Sequence, residues 1–306
     1  MSSRKKRKGG DDDDGTRKRV GAINDSPSLL QTELMHTRSS IIAGLKHPYT
    51  VALCDNLAYV AETKAHCVRV YDMASGSPVP TRVYALKTEP CGIAIGHTYL
   101  YVSDSFTMHT VTAIHKESGE VVWTADGFNH PVQLSLAKGM PNQEEMLWVA
   151  DAYAHRLVLL SASDGTERRA IAKGGALSLK RPHGVTATPD GGLIVADTYQ
   201  HRIVRLDDQG RVLVAKGSRG GALGQFQYPR EVAMAASGRH VIVCDFSNSR
   251  LQVLDAETLA PLGAYGSKGC ERSQLNFPRG LALDGSRVLV ADSGNGRVVE
   301  LDLLLT

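Results

Sequence analysis

The sequence predicts an all-β protein, a six-bladed β-propeller in which an N-terminal strand closes the last blade. Two observations predict it. A segment ending in valine, a small residue and an acid recurs six times with a period of about 47 residues, which is typical of propeller blades with four short strands each. The strands of these segments are apolar on both faces, as expected of strands packed between neighbouring blades, and helical periodicity is absent.

The repeated segment carries an acidic residue at the end of the second predicted strand of each blade. The acids are Glu62, Asp104, Asp151, Asp197, Asp245 and Asp292. An arginine follows five residues later in four repeats, as Arg156, Arg202, Arg250 and Arg297. An Asp in this place can accept N–H bonds from the following turn and pair with the arginine. The same pairing of an acid and an arginine recurs around the ring, whereas a catalytic site needs one unique arrangement of residues. We therefore interpret these residues as structural.

The repeats divide the chain into a tail and a single propeller. We expect a disordered charged tail over residues 1–37 and the propeller over residues 38–306. The expected blades lie near residues 46–86, 88–126, 129–174, 180–217, 227–266 and 276–306. The sixth repeat ends before its outer strand, so residues 39–43 are predicted to supply that strand and remove a free sheet edge.

The first 19 residues concentrate the basic charge of a chain whose net charge is +3. Two basic clusters, Arg4–Lys8 and Arg17–Arg19, flank four aspartates, and almost no apolar residue accompanies them. Such a composition predicts disorder. The clusters are consistent with a nuclear import signal in residues 4–19, and equally with a solubilising tail weakly attracted to nucleic acid.

The cysteines and the hydropathy pattern indicate the cellular compartment in which the protein is expected. The five cysteines are odd in number and widely spaced, and no CxxC pair occurs, so neither a disulfide framework nor a four-cysteine zinc module is predicted. No apolar run is long enough to span a membrane, and no apolar stretch follows the basic N-terminus. We therefore expect an intracellular protein, cytoplasmic or nuclear, that is not secreted and does not bind membranes.

Two repeats carry the closest likeness to a known family. The segments RPHGVTATPDGGLIVADTYQHRIVRLDDQG and FPRGLALDGSRVLVADSGNGRVVELD resemble the NHL repeat, and the resemblance extends over residues 38–306. The first two repeats depart most, with Glu62 in place of aspartate and no arginine. The resemblance implies a six-bladed propeller. It also implies several functions: substrate or RNA binding in tripartite-motif proteins and ubiquitin ligases, sensing, or zinc-dependent amidating-lyase activity.

The residue after each repeat-opening proline enters the innermost strand and is predicted to face the mouth of the central channel. Blades 1–3 place uncharged residues there, whereas blades 4–6 place His183, Arg230 and Arg279. Three residues that precede prolines are expected at the same rim. The predicted binding residues are Tyr49, Cys91, Arg181, His183, Tyr228, Arg230, Phe277 and Arg279.

The same positions argue against a catalytic site. The amidating lyase holds zinc with channel histidines, but only the segment Arg181–Gly184 matches its proline–histidine motif, so we predict no metal, no cofactor and no catalytic residue. His66, His155 and His201 are interpreted as turn residues too far apart to share one ion. Glu231 is expected to be a surface charge or a partner of Arg230.

These features predict a non-enzymatic interaction scaffold that recognises a protein partner through its channel rim, with any ubiquitin-ligase activity supplied by another polypeptide. The alternative is a propeller that binds single-stranded RNA, because arginines and aromatic residues share the rim. A metal-dependent lyase or hydrolase of the amidating-lyase or lactonase type is a third interpretation. DNA is not an expected partner.

Overall fold

Six antiparallel sheets are arranged around a central channel. A computed structural model describes residues 34–137, 144–171 and 178–304, except for the side chains of residues 39–41. These residues form 24 strands in six four-stranded sheets. The predicted all-β, six-bladed propeller is thereby confirmed. The predicted import clusters and all but the end of the predicted tail lie outside the described residues.

The first three blades each run from an inner strand at the channel to an outer strand at the periphery. Blade 1 contains β2 (Pro48–Cys54), β3 (Leu57–Glu62), β4 (Cys67–Asp72) and β5 (Arg82–Ala85). Blade 2 contains β6 (Pro90–Ile95), β7 (Tyr99–Asp104), β8 (Thr110–His115) and β9 (Val121–Ala125). Blade 3 contains β10 (Pro131–Ala137), β11 (Met146–Asp151), β12 (Arg156–Ser161) and β13 (Glu167–Ile171).

The last three blades repeat this order. Blade 4 contains β14 (Pro182–Ala187), β15 (Leu193–Asp197), β16 (Arg202–Leu206) and β17 (Val212–Lys216). Blade 5 contains β18 (Pro229–Met234), β19 (His240–Asp245), β20 (Arg250–Asp255) and β21 (Pro261–Tyr265). Blade 6 contains β22 (Pro278–Asp284), β23 (Arg287–Asp292) and β24 (Arg297–Leu303). Short 3-10 turns span Thr63–Ala65, Thr198–Gln200, Phe246–Asn248 and Ser293–Asn295.

The N-terminal strand β1 (Met35–Ile42) is the outer strand of blade 6, as the sequence predicts. It pairs antiparallel with β24, so the sheet order is β1-β24-β23-β22. The strand begins earlier than the predicted residues 39–43, because a register shift between Thr37 and Ile41 lets residues 35–37 continue the pairing as far as Leu303. The inner strands also contact one another in sequence, and β22 contacts β2, so the ring is closed.

Apolar side chains fill the spaces between adjacent blades. The described residues form one hydrophobic cluster at each of the six blade junctions. Each second strand contributes a buried valine to such a junction: Val60, Val102, Val149, Val195, Val243 and Val290. Alternate side chains of these strands are buried against different neighbouring blades, which explains why the strands are apolar on both faces.

The recurring aspartates join each second strand to the loop that enters the same blade. In blade 5, one oxygen of Asp245 accepts the Gln227 N–H at 2.7 Å, and the other accepts Arg250 Nε–H at 2.8 Å. Arg250 in turn donates to the carbonyl oxygens of Gly221 and Ala222 in the entering loop. Blades 3, 4 and 6 repeat the ion pair, with Asp151–Arg156, Asp197–Arg202 and Asp292–Arg297 at 2.7–2.8 Å.

The first two blades modify this arrangement. Glu62 is fully buried, accepts the Lys46 N–H at 2.6 Å and pairs with Arg69. Within the described part of the chain, Asp104 has no arginine partner and accepts only from its own turn, from residues 106–108. The expected bonds to the following turn's backbone thus occur at Asp104. The other acids each accept a backbone N–H from the entering loop.

Candidate functional site

The residues that follow the six prolines converge on the channel. Together with four of their successors, Thr50, Gly92, Gln133 and Glu231, they line one small cavity of about 10 Å³, with room for about one water molecule. Of the predicted binding residues, the lining includes Tyr49, Cys91, His183, Arg230 and Arg279. Cys91 is fully buried, and only the two arginines are half-buried. The channel is therefore filled at this level by side chains, and a ligand would meet its mouth.

A second layer of the channel alternates glycines with polar residues. Gly92, Gly184 and Gly280 belong to blades 2, 4 and 6, whereas Thr50, Gln133 and Glu231 belong to blades 1, 3 and 5. A Cβ on Gly184 would overlap the Arg230 carbonyl oxygen of the next inner strand, so glycine is required by the close approach of the strands.

Glu231 differs from the sequence-based expectation. It is only 8% exposed and pairs with none of the arginines that the structure describes; its carboxyl oxygens accept from Thr50 Oγ1 at 2.7 Å and Gln133 Nε2 at 2.6 Å. Burial raises the pKa of this carboxyl to about 8, although hydrogen bonds from Thr50, Leu281 and Gln133 oppose the shift. The expectation failed because the Glu231 carboxyl bonds to Thr50 of blade 1 and Gln133 of blade 3, away from solvent, instead of to Arg230.

Arg181, one of the predicted rim residues, lies between two tyrosines. Its guanidinium carbon is 4.2 Å from the ring centre of Tyr153 and 4.5 Å from that of Tyr199. The Arg181 backbone has a positive φ of 50°, and its N–H donates to His155 Nδ1 at 3.0 Å. His155, itself at φ 58°, is thus a turn residue that positions the rim residue of the next blade.

Tyr228 and Phe277 are held at the rim in the same way. The Tyr228 N–H donates to His201 Nδ1 at 3.1 Å, and the Phe277 N–H donates to Ser249 Oγ at 3.4 Å. The αL turn residue of one blade therefore orients the residue that precedes the proline of the following blade.

Aromatic and cationic side chains surround the channel mouth on this face. Ring contacts run from Tyr49 through Phe106 and His130 to Tyr153. Arg181 joins Tyr153 to Tyr199, whose ring contacts that of Tyr228. On the other side, Arg279 contacts the rings of Tyr49 and Phe246, and Phe246 contacts Phe277. We call this set the aromatic belt: Tyr49, Phe106, His130, Tyr153, Arg181, Tyr199, Tyr228, Arg230, Phe246, Phe277 and Arg279.

The predicted binding residues omit five members of the belt: His130, which precedes Pro131, and four residues of the turns. Phe106, Tyr153 and Tyr199 are 45%, 41% and 37% exposed, and Phe246 is half-buried beneath Arg230 and Arg279. Their sequence signal is positional, because each stands one or two residues after the repeat acid. That turn lies on the same face as the prolines, since each inner strand pairs its first residue with the acid of the second strand.

The channel residues do not supply the three-histidine set that a likeness to the amidating lyase implies. His183 is the one histidine among the residues that line the cavity, and burial with the nearby Arg230 charge lowers its pKa well below the usual value. The nearby His130 bonds to the Ser105 carbonyl oxygen through Nδ1. The described part of the chain holds no group of three or more His, Cys, Asp or Glu that could bind a metal ion.

No helix among the described residues is long and apolar enough to cross a bilayer.

Comparison with known proteins identifies the repeats. The family model described as "NHL repeat" matches residues 179–206, 226–254 and 275–301. The chain is 23% identical over 296 residues to "NHL repeat-containing protein 2" of Gallus gallus, covering 71% of this chain and 40% of that protein. It is 30% identical over 197 residues to the "Probable peptidyl-alpha-hydroxyglycine alpha-amidating lyase pgal-1" of Caenorhabditis elegans, covering 61% of this chain and 51% of that protein.

Among solved structures, virginiamycin B lyase from Staphylococcus aureus is similar with a TM-score of 0.61 and 14% identity, covering 88% of this chain and all of that chain. At this identity the likeness establishes the fold alone. The chain spans about half or less of the length of the two curated relatives. It is thus a six-bladed β-propeller, and residues 179–206, 226–254 and 275–301 of blades 4, 5 and 6 are NHL repeats.

Proposed function

We propose that the propeller is a non-enzymatic interaction scaffold whose aromatic belt binds a protein partner. The observation that carries this proposal is the concentration of exposed aromatic rings and arginines around the mouth of a filled channel. Phe106, Tyr153, Tyr199 and Phe277 are each more than a third exposed, on neighbouring turns of one face. Tyrosine and arginine contribute most to protein–protein hot spots, and clustered exposed apolar side chains mark interaction surfaces.

The rigidity of the belt supports recognition. Positive-φ residues hold Arg181, Tyr228 and Phe277 in place, and guanidinium–ring stacking fixes the Arg181 side chain. A preorganised surface loses less conformational entropy when a partner binds. Exposed apolar residues elsewhere, such as Val121 and Leu213, lie on separate outer strands.

Single-stranded RNA is the second candidate ligand. The specific observation that favours it is the stack of Arg181 between Tyr153 and Tyr199, because unstacked bases bind to such alternating aromatic and guanidinium planes. The belt arginines would also neutralise phosphates.

The test is recovery of the tagged protein from its own cells, with and without ribonuclease, followed by identification of what co-purifies. A belt variant carrying Phe106→Ser, Tyr153→Ser and Tyr199→Ser is compared with a control carrying Val121→Ser and Leu213→Ser. We expect protein partners that survive ribonuclease, that the belt variant loses and that the control retains.

The other outcomes have definite meanings. Partners lost on ribonuclease treatment, with RNA crosslinked to the propeller, would establish the RNA-binding alternative. Partners retained by the belt variant would place the interaction on another surface and contradict the proposal.

A further inference from the structure

Two arginines at the channel mouth have no acidic partner in the described structure. The guanidinium carbons of Arg230 and Arg279 lie 4.5 Å and 4.8 Å from the ring centre of Phe246, so both cations stack on one aromatic side chain. No described carboxylate lies within ion-pair distance of either, and neither Nε atom has a hydrogen-bond partner, although both atoms are buried. By contrast, a buried aspartate pairs with each of the four repeat arginines, Arg156, Arg202, Arg250 and Arg297.

The groups around the two arginines are neutral. Arg230 Nη1 lies 3.3 Å from the Tyr49 hydroxyl and 3.0 Å from His183 Nδ1. Burial raises the pKa of Tyr49 and lowers that of His183, so the phenol and the imidazole are both uncharged near neutral pH.

The buried carboxyl that is adjacent to Arg230 in the sequence does not compensate this charge. Glu231 follows Arg230 in the chain, but its oxygens are bonded to Thr50 and Gln133 on the inner side of the channel. Burial lowers the pKa of Arg279, and the charge of Arg230 lowers it further. The channel mouth therefore holds two half-buried guanidinium groups of like charge, and their Nε–H donors have no acceptor in the described structure.

We propose that Arg230 and Arg279 form an anion site that receives a carboxylate group of the protein partner. A half-buried pair of cations is stabilised by an opposite charge, and guanidinium groups bind planar carboxylates through paired N–H···O bonds. The inference deepens the proposed function and rests on it for the choice of a protein ligand.

The depth of the site favours a carboxylate on a side chain or at a chain terminus. Arg230 and Arg279 are only half-exposed, whereas Phe106, Tyr153 and Tyr199 at the surrounding rim are exposed. An anion must therefore project below the rim. A glutamate side chain or a terminal carboxylate extends from the peptide backbone on a short stem, whereas a phosphodiester in a polynucleotide is flanked by a sugar on each side.

Thermal unfolding with matched small probes tests this site without a known partner. N-acetylglutamyl amide models a glutamate within a chain, N-acetylglutaminyl amide is its neutral counterpart, and N-acetylalanine models a C-terminal carboxylate. Ionic strength is kept equal with sodium chloride. At about ten times its dissociation constant, a carboxylate probe is expected to raise the unfolding midpoint by several degrees, and the neutral probe is expected not to.

Variants assign the effect to the two arginines. The double variant Arg230→Gln, Arg279→Gln should abolish the shift caused by the carboxylate probe. The control variant Arg211→Gln changes an exposed arginine just before the outer strand β17, and it should retain the shift. Because the wild-type comparison of charged and neutral probes requires no variant, the proposal stays testable if the double variant fails to fold.

The outcomes separate the two proposals. Stabilisation by glutamyl amide or by N-acetylalanine identifies a side-chain or a terminal carboxylate as the source. Equal shifts from the charged and the neutral probe, or a shift that the double variant retains, would overturn the carboxylate site. Binding of an oligouridine RNA through the same arginines without any carboxylate response would overturn it as well, and would identify phosphate as the anion. Such a result does not decide whether the aromatic belt binds a partner. The variant with serine at Phe106, Tyr153 and Tyr199 tests that question separately.

Discussion

Replacing Asp245 by alanine should destabilise the propeller far more than replacing Asp104, although both residues end the second strand of a blade. The Asp245 carboxylate is fully buried and accepts hydrogen bonds from Gln227 N at 2.7 Å, Arg250 Nε at 2.8 Å, Asn248 Nδ2 at 2.8 Å and Gln252 Nε2 at 3.0 Å. Its removal leaves Arg250 without its charge partner and several buried donors unsatisfied. Breaking a buried ion pair costs about 3–5 kcal/mol, so we expect a loss of that size.

Asp104 provides the matched comparison. Its carboxylate accepts from Phe106 N at 3.0 Å, Thr107 N at 3.1 Å, Thr107 Oγ1 at 2.5 Å and Met108 N at 2.6 Å, all within its own turn. Without an arginine, the donors released by alanine lie in a turn that water can reach more readily. We expect a loss of about 1–2 kcal/mol for Asp104→Ala.

Urea unfolding, followed by fluorescence at one protein concentration, measures both losses. A double-mutant cycle of Asp245→Ala and Arg250→Met should give a coupling energy above about 1 kcal/mol. An equal or larger loss for Asp104→Ala, or a coupling energy near zero, would refute the view that the acid–arginine pairs fasten the entering loops to the blades.

Three further predictions concern the channel and the closure of the ring. Gly184→Ala should cost about 2–3 kcal/mol in urea unfolding, because its Cβ would displace a neighbouring inner strand, whereas Gly221→Ala has open space and should be near neutral. The Glu231 carboxyl has a folded pKa of about 8 against an ordinary 4.5, so the stability that it contributes is complete below about pH 4.5 and is lost as the pH rises through 8. Glu231→Gln should therefore flatten the decline of urea stability between pH 5 and pH 8.5, and an unchanged slope would contradict the burial of this carboxyl. Deletion of residues 38–45 should abolish cooperative folding, since it removes most of the outer strand of blade 6; a deletion variant that melts cooperatively at the parent temperature would contradict this.

The architecture could be predicted from the sequence because it is repeated. Each blade places a proline, a buried valine and an acid at corresponding positions, and six imperfect copies together specify what one copy could not. The closing strand was predictable for the same reason, because blade 6 ends after its third strand. The start of this strand at Met35 was not predictable, because the register shift after Thr37 has no signature in the sequence.

The site was predicted less completely because it depends on departures from the repeat. The position after each proline indicated the channel residues, and Tyr49, His183, Arg230 and Arg279 do line one cavity. The exposed aromatics of the turns were missed, since a turn residue is unremarkable until the ring brings the turns of neighbouring blades together. Glu231 was misjudged because its burial depends on the inner strands of blades 1 and 3, neither of which adjoins blade 5.

Site-directed photo-crosslinking in cells tests the central claim, that a protein partner binds the aromatic belt, most directly. A benzoylphenylalanine residue is placed at Tyr199 on the belt or at Leu213 on the outer strand of blade 4, and the tagged protein is irradiated in its own cells. The account predicts ribonuclease-resistant crosslinks to polypeptide from position 199 and none from position 213. Crosslinks to polypeptide from position 213 alone, or crosslinks from position 199 to RNA alone, would contradict it.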